Sequence, residues 1–585
     1  MLIWKSKNKP MKKLIISLGV LAVGYSYAQK VSWQKDVESG TQDFLSGLSV
    51  TNDGQYLVSG SSIQRNQNPT AGSNQNKGYD YHILKLDQQG QKVWEKYFSG
   101  NQHDYLSSTV ATQEGGFLLA GTTYSSLAID KKQKSNGSSD MWIIKVNENG
   151  DEEWQKTIGT RYSEEARSVT QTTDKGFIAV GSTNHPKLGY GSIDVMVVKL
   201  DKNGKILHQL ILGGKGLDEV EKVIPTNDGG VLMGIYSKSG VNEGQSKSKV
   251  NSKDLLSKSS RLNTNNNSSS DSNSQSTSTN SSGNQNSSTS NNQNAEESFD
   301  INFYGKAFGN FGEGDYWIVK LDNNGTVQWE KNFGGSEDDH IRTMALTDSG
   351  YIIGGESRSQ TSGNKRAKLE EGTDLWLLSL DQDGNEEWQQ SYNFKNRDVL
   401  MSLNAIKDSN SKDKGFLIGG YTQSEGKVQK NDETFWMLYI DKNGKEIWRK
   451  YVEGRDKKNE ERLVSAILNR DGSYILAGTS GEAVGKENWK IVKLVDSDVE
   501  NLMENKDIQI YPNPVKDYCY VEIGLDFESA DIYLYDMTGK VVQQVNTNNK
   551  VTKINTSRLP QGVYIIKAII PTQQDKKLTT KIVKE

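Results

Sequence analysis

Asp315-Tyr-Trp-Ile-Val-Lys-Leu-Asp-Asn-Asn-Gly325 repeats, with small changes, Asp140-Met-Trp-Ile-Ile-Lys-Val-Asn-Glu-Asn-Gly150. The pattern starts again at Asp80, Asp194, Asp374 and Thr434, and in degenerate form at Asn488. Each full copy leads into a second apolar segment. Two slots keep one spacing: His82 and Trp94, Trp142 and Trp154, Met196 and His208, Trp317 and Trp329, Trp376 and Trp388, Trp436 and Trp448 all stand 12 positions apart. Constant spacing across an Asx-x-x-Gly turn predicts a β-hairpin, because turn length sets strand register.

Two more strands precede each hairpin. The first, A, follows an acidic residue (Asp43, Asp104, Glu164, Asp218, Asp339) and ends at a polar turn such as Thr226-Asn-Asp-Gly-Gly230. The second, B, is an apolar run closing on Gly, as in Phe117 to Gly121, Phe177 to Gly181 and Tyr474 to Gly478. With the hairpin strands C and D, the unit is four short strands recurring every ~60 residues, the pattern of a propeller blade. The repeats open at Val31-Ser-Trp33-Gln-Lys35, a strand D with no blade before it, and end at Trp489 to Leu494, a strand C with no D after it. The expected fold is all-β: a seven-bladed β-propeller over residues 29–494, whose N-terminal strand completes the last blade and leaves no open edge.

The signature Leu-Asp-x-x-Gly-x-x-x-Trp, as in Leu321 to Trp329, resembles the tryptophan-docking motif of quinoprotein-like repeats. It is also similar to propeller repeats common in secreted bacterial proteins. The resemblance implies a fold and not an activity, since propellers host many unrelated functions.

The 585 residues carry 70 basic and 74 acidic side chains, so no global field draws the chain to nucleic acid. Lys131, Lys132 and Lys134 read as a solvated loop cluster. The single cysteine, Cys519, excludes an internal disulfide and a thiolate zinc cluster, and reads as a small core residue. Residues 1–28 read as a signal peptide starting at Met11: Lys12 and Lys13, an apolar run from Leu14 to Tyr27, then Ser26 and Ala28 before a cut at Gln29. No cysteine follows the cut, which argues against a lipoprotein. Residues 238–314 interrupt blade four between strands B and C. From Asn263 to Asn294 they are almost purely Ser, Asn, Gln, Thr and Gly, a composition that predicts disorder.

After a polar linker, 495–507, the pattern changes. Residues 508–585 hold Tyr511-Pro512-Asn513-Pro514, then Ile532 to Lys540 with Asp536 and Gly539, then Leu559 to Tyr564 with Gly562, and a terminal Lys581 to Glu585. Alternating apolar residues around Thr538-Gly539 predict a small β-sandwich. This succession resembles the type A C-terminal sorting domain of type IX secretion cargo. The resemblance implies Sec export, translocation by the type IX machinery, removal of the domain by a cut in the linker, and release or linkage to surface lipopolysaccharide.

Chemistry is harder to find. The five histidines offer few convergent titratable groups, and no catalytic or phosphate-cradling motif appears, so no cofactor or metal is expected. His82 and His208 occupy the two slots as packing substitutes, while His340 beside Asp338 and Asp339 admits an acid–base or metal role. Asp87, Asn147, Asp201, Asp322, Asp381 and Asp441 read as turn formers ahead of calcium ligands. The acids opening strand A have two readings: bonding the backbone of a neighbouring blade, or ringing the channel mouth to hold a cation or sugar. The B–C loops (63–79, 124–139, 183–193, 238–314, 358–373, 423–433 and 481–487) form the expected ligand face, with Tyr124, His185 and Tyr190 as aromatic candidates. The leading expectation is an exported binding or adhesion module for glycan or protein. A polysaccharide-active or quinoprotein-like enzyme is the alternative.

Overall fold

The computed structural model describes residues 29–38, 42–63, 78–186, 188–240, 250–251, 300–394, 397–408, 412–423, 434–452, 460–469, 471–481, 487–503, 507–525, 527–571 and 576–585. The expected signal segment and the Ser/Asn-rich stretch lie outside them.

Seven antiparallel four-stranded units follow one another, each ordered A-B-C-D, as in blade one: Phe44–Val50, Tyr56–Ser62, Asp80–Leu86 and Lys92–Phe98. The A strands are Phe44–Val50, Asp104–Ala111, Glu164–Gln171, Asp218–Pro225, Asp339–Leu346, Arg397–Lys407 and Glu460–Leu468. Each touches the next and the last touches the first, so they line a closed ring. Blade seven is completed by Gln29–Val37, which runs antiparallel to Glu487–Asp496 with Trp33 opposite Lys493 and Val37 opposite Trp489. Strands B and C are buried along nearly their whole length because neighbouring blades cover both faces. That is why they read as continuous apolar runs instead of alternating ones.

The strand D aromatics join the blades. Trp33, Trp94, Trp154 and Trp388 donate their indole N–H to a carbonyl in the next blade's C–D turn: Gln88, Glu148, Lys202 and Lys442, at 2.9 to 3.2 Å. In each turn the Asx carboxylate or amide accepts two backbone N–H groups, and the glycine lies under the ring. At Gly444 (φ +82°) a Cβ would come within 2.9 Å of Trp388. His208 sits over Gly325 in the same way, as a packing substitute should.

Two expectations need correction. The insertion is not loop throughout: Asp300–Gly305 adds a fifth strand, parallel to the outer strand Ile206–Gly213 of blade three, and Val250–Asn251 pairs with it as a short sixth. Ile301 and Phe303 pack into that blade's core, a short apolar alternation overshadowed by the polar run before it. The linker is also less free than its polarity suggests. Strand C of blade seven continues to Asp496, which caps a one-turn helix, Ser497–Glu500. Val499 is fully buried beside Trp448 and Leu476, because blade seven has no C–D turn and this helix fills its place.

The C-terminal region is a sandwich of a three-stranded and a four-stranded sheet around one apolar core. Its motif residues are joints. Asn513 bridges to Lys581 and Val583 of the last strand, Asp536 accepts the N–H of Thr538 and Lys540 ahead of Gly539, and Tyr564 donates to the Pro560 carbonyl. Cys519 is a core residue whose thiol is pushed up to about 12 by burial. Lys553 and Tyr520 of the sandwich meet Glu148 in the C–D turn of blade two.

Candidate functional site

Strand A starts on the face that carries the B–C loops, and its opening acid is spent on architecture. Asp218 accepts the Gly214 N–H at 2.7 Å and the Ser237 and Ser239 hydroxyls at 2.6 and 2.7 Å. Asp104 takes Gly100 N–H and Ser125; Glu164 takes Thr160 and Thr183; Asp339 takes Gly335, Ser357 and Ser359. These carboxylates and Asp43 are at most 2% exposed. They tie the incoming connection to the end of their own strand B. The backbone N–H groups that Asp104, Asp218 and Asp339 accept follow directly on strand D of the preceding blade, as the first sequence reading expects, and burial keeps these acids from ringing an open channel mouth. Asp398 does the same in blade six, with Phe394 N–H and Thr422, although there an Arg precedes the acid as the strand's first residue.

A second acid opens strand C, and in three blades a buried lysine stands between the two. Lys131, Lys306 and Lys365 each lie nine positions before Asp140, Asp315 and Asp374. Lys131 is 2% exposed, not solvated as its Lys-rich neighbourhood suggested. Burial pulls its ammonium down to about 8 in spite of Asp140 and Asp104, and Lys306 likewise to about 8 in spite of Asp218 and Asp315. Burial also lifts Asp104 and Asp315 to about 6. Lys306 and Lys365 lie over the strand C rings of Trp317 and Trp376, 5.5 and 5.7 Å from their centres. Those indoles and Trp142 donate to Glu330, Gln389 and Gln155 on strand D, which also accept the backbone N–H after each lysine. The B–C loop is thus pinned, and the nine-residue spacing was its sequence signal. His185 takes the lysine's place in blade three, where Met196 replaces the Trp.

His185 is therefore buried, its Nδ1 accepting the Leu188 N–H, and Tyr190 is half-buried with its N–H given to Asp194. Of the three loop candidates, Tyr124 alone reaches an open cluster. It stands edge-on to Tyr105 (6.3 Å), which with Phe44, Tyr79 and His103 makes a shelf of five rings on blades one and two. Phe44 is 40% and Tyr124 38% exposed. Beside them the B–C loop of blade two carries Leu127 and Ile129, 63% and 57% exposed. Ile129 has φ +53°, in the turn position that blade five fills with Gly363 (φ +57°) two residues before its lysine. A β-branched residue held there at a cost of ~1–2 kcal/mol is strain kept for a reason.

The residue after each strand A acid, not the acid, faces the ring's mouth. Phe44, Tyr105, Glu165, Glu219 and His340 occupy one register position, opposite Ser61, Thr122, Ser182, Tyr236 and Glu356. On the side away from the shelf, Glu221 holds His340 (3.1 Å) and Arg167 (3.7 Å), and Glu356 holds Arg342 (2.7 Å) and Arg397 (3.0 Å). Burial opposes ionisation of Glu221, yet the His340 bond and nearby arginines hold its carboxyl below the usual range. His340 stacks on Tyr236 at 3.9 Å, so its partners are an ion network and a ring. Among the described residues no cluster of three or more His, Cys, Asp or Glu side chains is placed to hold a metal.

Ring and tail together define an exported β-propeller with a C-terminal sorting domain. Residues 509–585 match the family described as the secretion system C-terminal sorting domain. The tail marks the protein for the cell surface or the extracellular space and for handling by the type IX secretion machinery. No curated protein matches the chain. Among solved structures it is similar to the polysaccharide lyase Uly1 (TM-score 0.39, 8% identity, covering 80% of this chain and 99% of that one). It is also similar to a Dyadobacter fermentans DSM 18053 protein of unknown function (0.35, 8%, 80% and 100%). A third is PorZ, a surface component of the type-IX secretion system of Porphyromonas gingivalis (0.18, 10%, 94% and 100%). At these scores the likenesses carry no argument about function.

Proposed function

We propose that the propeller is a glycan-binding module, carried out of the cell by its tail, with the ligand seated on the aromatic shelf of blades one and two. The observation that carries this reading is the shelf itself. The rings of Tyr79, His103 and Tyr105 lie within 33° of parallel and remain partly open. An exposed ring face suits the C–H face of a pyranose, and the tyrosine hydroxyls and His103 supply polar edges for orientation. Exposed aromatic clusters of this kind mark interaction sites. Glu221 and Glu356 already hold cations, an arrangement that favours a structural role over the paired-carboxylate chemistry of a polysaccharide hydrolase. A glycan array probed with the secreted protein and with Tyr105→Ala tests the proposal. Binding lost in the variant supports it, and a wild type that binds no glycan overturns it.

The mature chain in this reading begins at Gln29 and sheds residues 508–585, then is released or linked to lipopolysaccharide. N-terminal sequencing and mass measurement of the secreted product test this, and a product that keeps 508–585 refutes it.

A further inference from the structure

The shelf does not end in neutral surface. Around the mouth of the ring, the register position filled by Phe44 and Tyr105 in blades one and two is filled by Glu165 and Glu219 in blades three and four. Glu165 is exposed and close enough to the Tyr124 hydroxyl to make its ionisation harder. Neither Glu165 nor Glu219 forms an ion pair among the described residues. Of the cations around the mouth, Arg167 and His340 hold Glu221, Arg342 and Arg397 hold Glu356, and Lys238, over the Tyr236 ring, reaches Asp338 at 3.9 Å. The mouth therefore presents rings on one arc and two carboxylates outside any ion pair on the next, at one register position.

We propose that the ligand is an amino-sugar oligosaccharide bearing free ammonium groups, a sugar ring stacked on Tyr105 with Tyr124 standing edge-on beside it, and its ammonium groups directed to Glu165 and Glu219. This rests on the glycan reading of the shelf and adds the charge of the ligand. Aromatic faces and carboxylates both favour a cation, whereas a uronate would meet repulsion from Glu165 and Glu219. Leu127 and the strained Ile129 stand exposed in the same pinned loop as Tyr124.

The test is titration calorimetry of the secreted protein at mildly acid pH and low salt with three hexamers: glucosamine, N-acetylglucosamine and galacturonate. The expected order is glucosamine, N-acetylglucosamine, galacturonate, with about tenfold between the first two for one ammonium contact. Glu165→Gln combined with Glu219→Gln, both surface changes, brings glucosamine hexamer down to the acetylated level and leaves the acetylated hexamer unaffected. Added salt weakens only the glucosamine complex. If the acetylated hexamer binds as tightly as the free amine, or the double variant changes nothing, the amine assignment is wrong while the glycan reading stands. Tighter binding of the galacturonate hexamer has the same consequence. If none of the three binds and the wider array is blank, both fail.

Discussion

The joint between blades six and seven differs from the other six, and its repair can be weakened selectively. Everywhere else a covalent C–D turn receives the preceding blade's aromatic ring. Blade seven is closed by a separate strand, Gln29–Val37, so Trp448 meets the helix Ser497–Glu500 instead. Lys450, packed over Trp448 with its ammonium 4.9 Å from the ring centre, binds Asp496 at 2.8 Å and Asp498 at 2.6 Å. Val499→Ala removes two fully buried carbon atoms, worth ~1.6 kcal/mol in transfer, and leaves a cavity that brings the loss to ~2 kcal/mol. Lys450→Met keeps the stem on Trp448 but leaves Asp496, 1% exposed, without its cation. It costs a further ~1–3 kcal/mol. In a ring of repeats this loss falls on the nearest interface, so the seventh blade opens before the rest. Hydrogen exchange is the assay: amides of Glu487–Asp496 should exchange ~30-fold faster in Val499→Ala, while those of Asp140–Val146 in blade two hold their rate. Equal exchange in both strands, or none altered, refutes the view that the linker helix stands in for the missing turn. A propeller cut at 494 should accordingly be weaker than one cut at 503, which keeps the helix.

Gly444→Ala should cost ~3 kcal/mol in urea unfolding, combining left-handed strain with displacement of Trp388. Gly539→Ala (φ +85°, nothing within 4 Å of its Cβ) should cost only the strain, ~1 kcal/mol; equal costs would undo the docking argument. Asp104 sits at about 6, above its ordinary 3.8, so the native state binds the proton more tightly and stability falls as pH rises from ~4 to ~6, then levels. Asp104→Asn should flatten that fall by ~1–3 kcal/mol, and an unchanged pH profile of the urea midpoint counts against the buried-carboxylate account. Ile129→Gly should raise stability by up to ~1 kcal/mol while weakening ligand binding, a split that a purely structural loop would not show.

Most of the scaffold was legible from spacing alone. Constant 12-residue slots and the orphan strands at Trp33 and Trp489 announce blades, their number and their closure, because turn length and register are local properties of the chain. The sorting tail was legible for the same reason, since its motif residues are turns and strand joints. What the spacing could not show is which way a charge points. Lys131 looks like a surface residue in a polar loop, and it is buried between Asp104 and Asp140 in a loop that Gln155 of strand D pins by accepting from Lys132 and Trp142. The open site lies one residue away, at Tyr105 and Glu165. The side-chain alternation of strand A and contact between successive A strands leave those side chains open and bury the acids before them. The linker shows the same division. Its polarity is written in sequence, but the vacancy that Val499 fills exists only once the ring has closed without a seventh C–D turn.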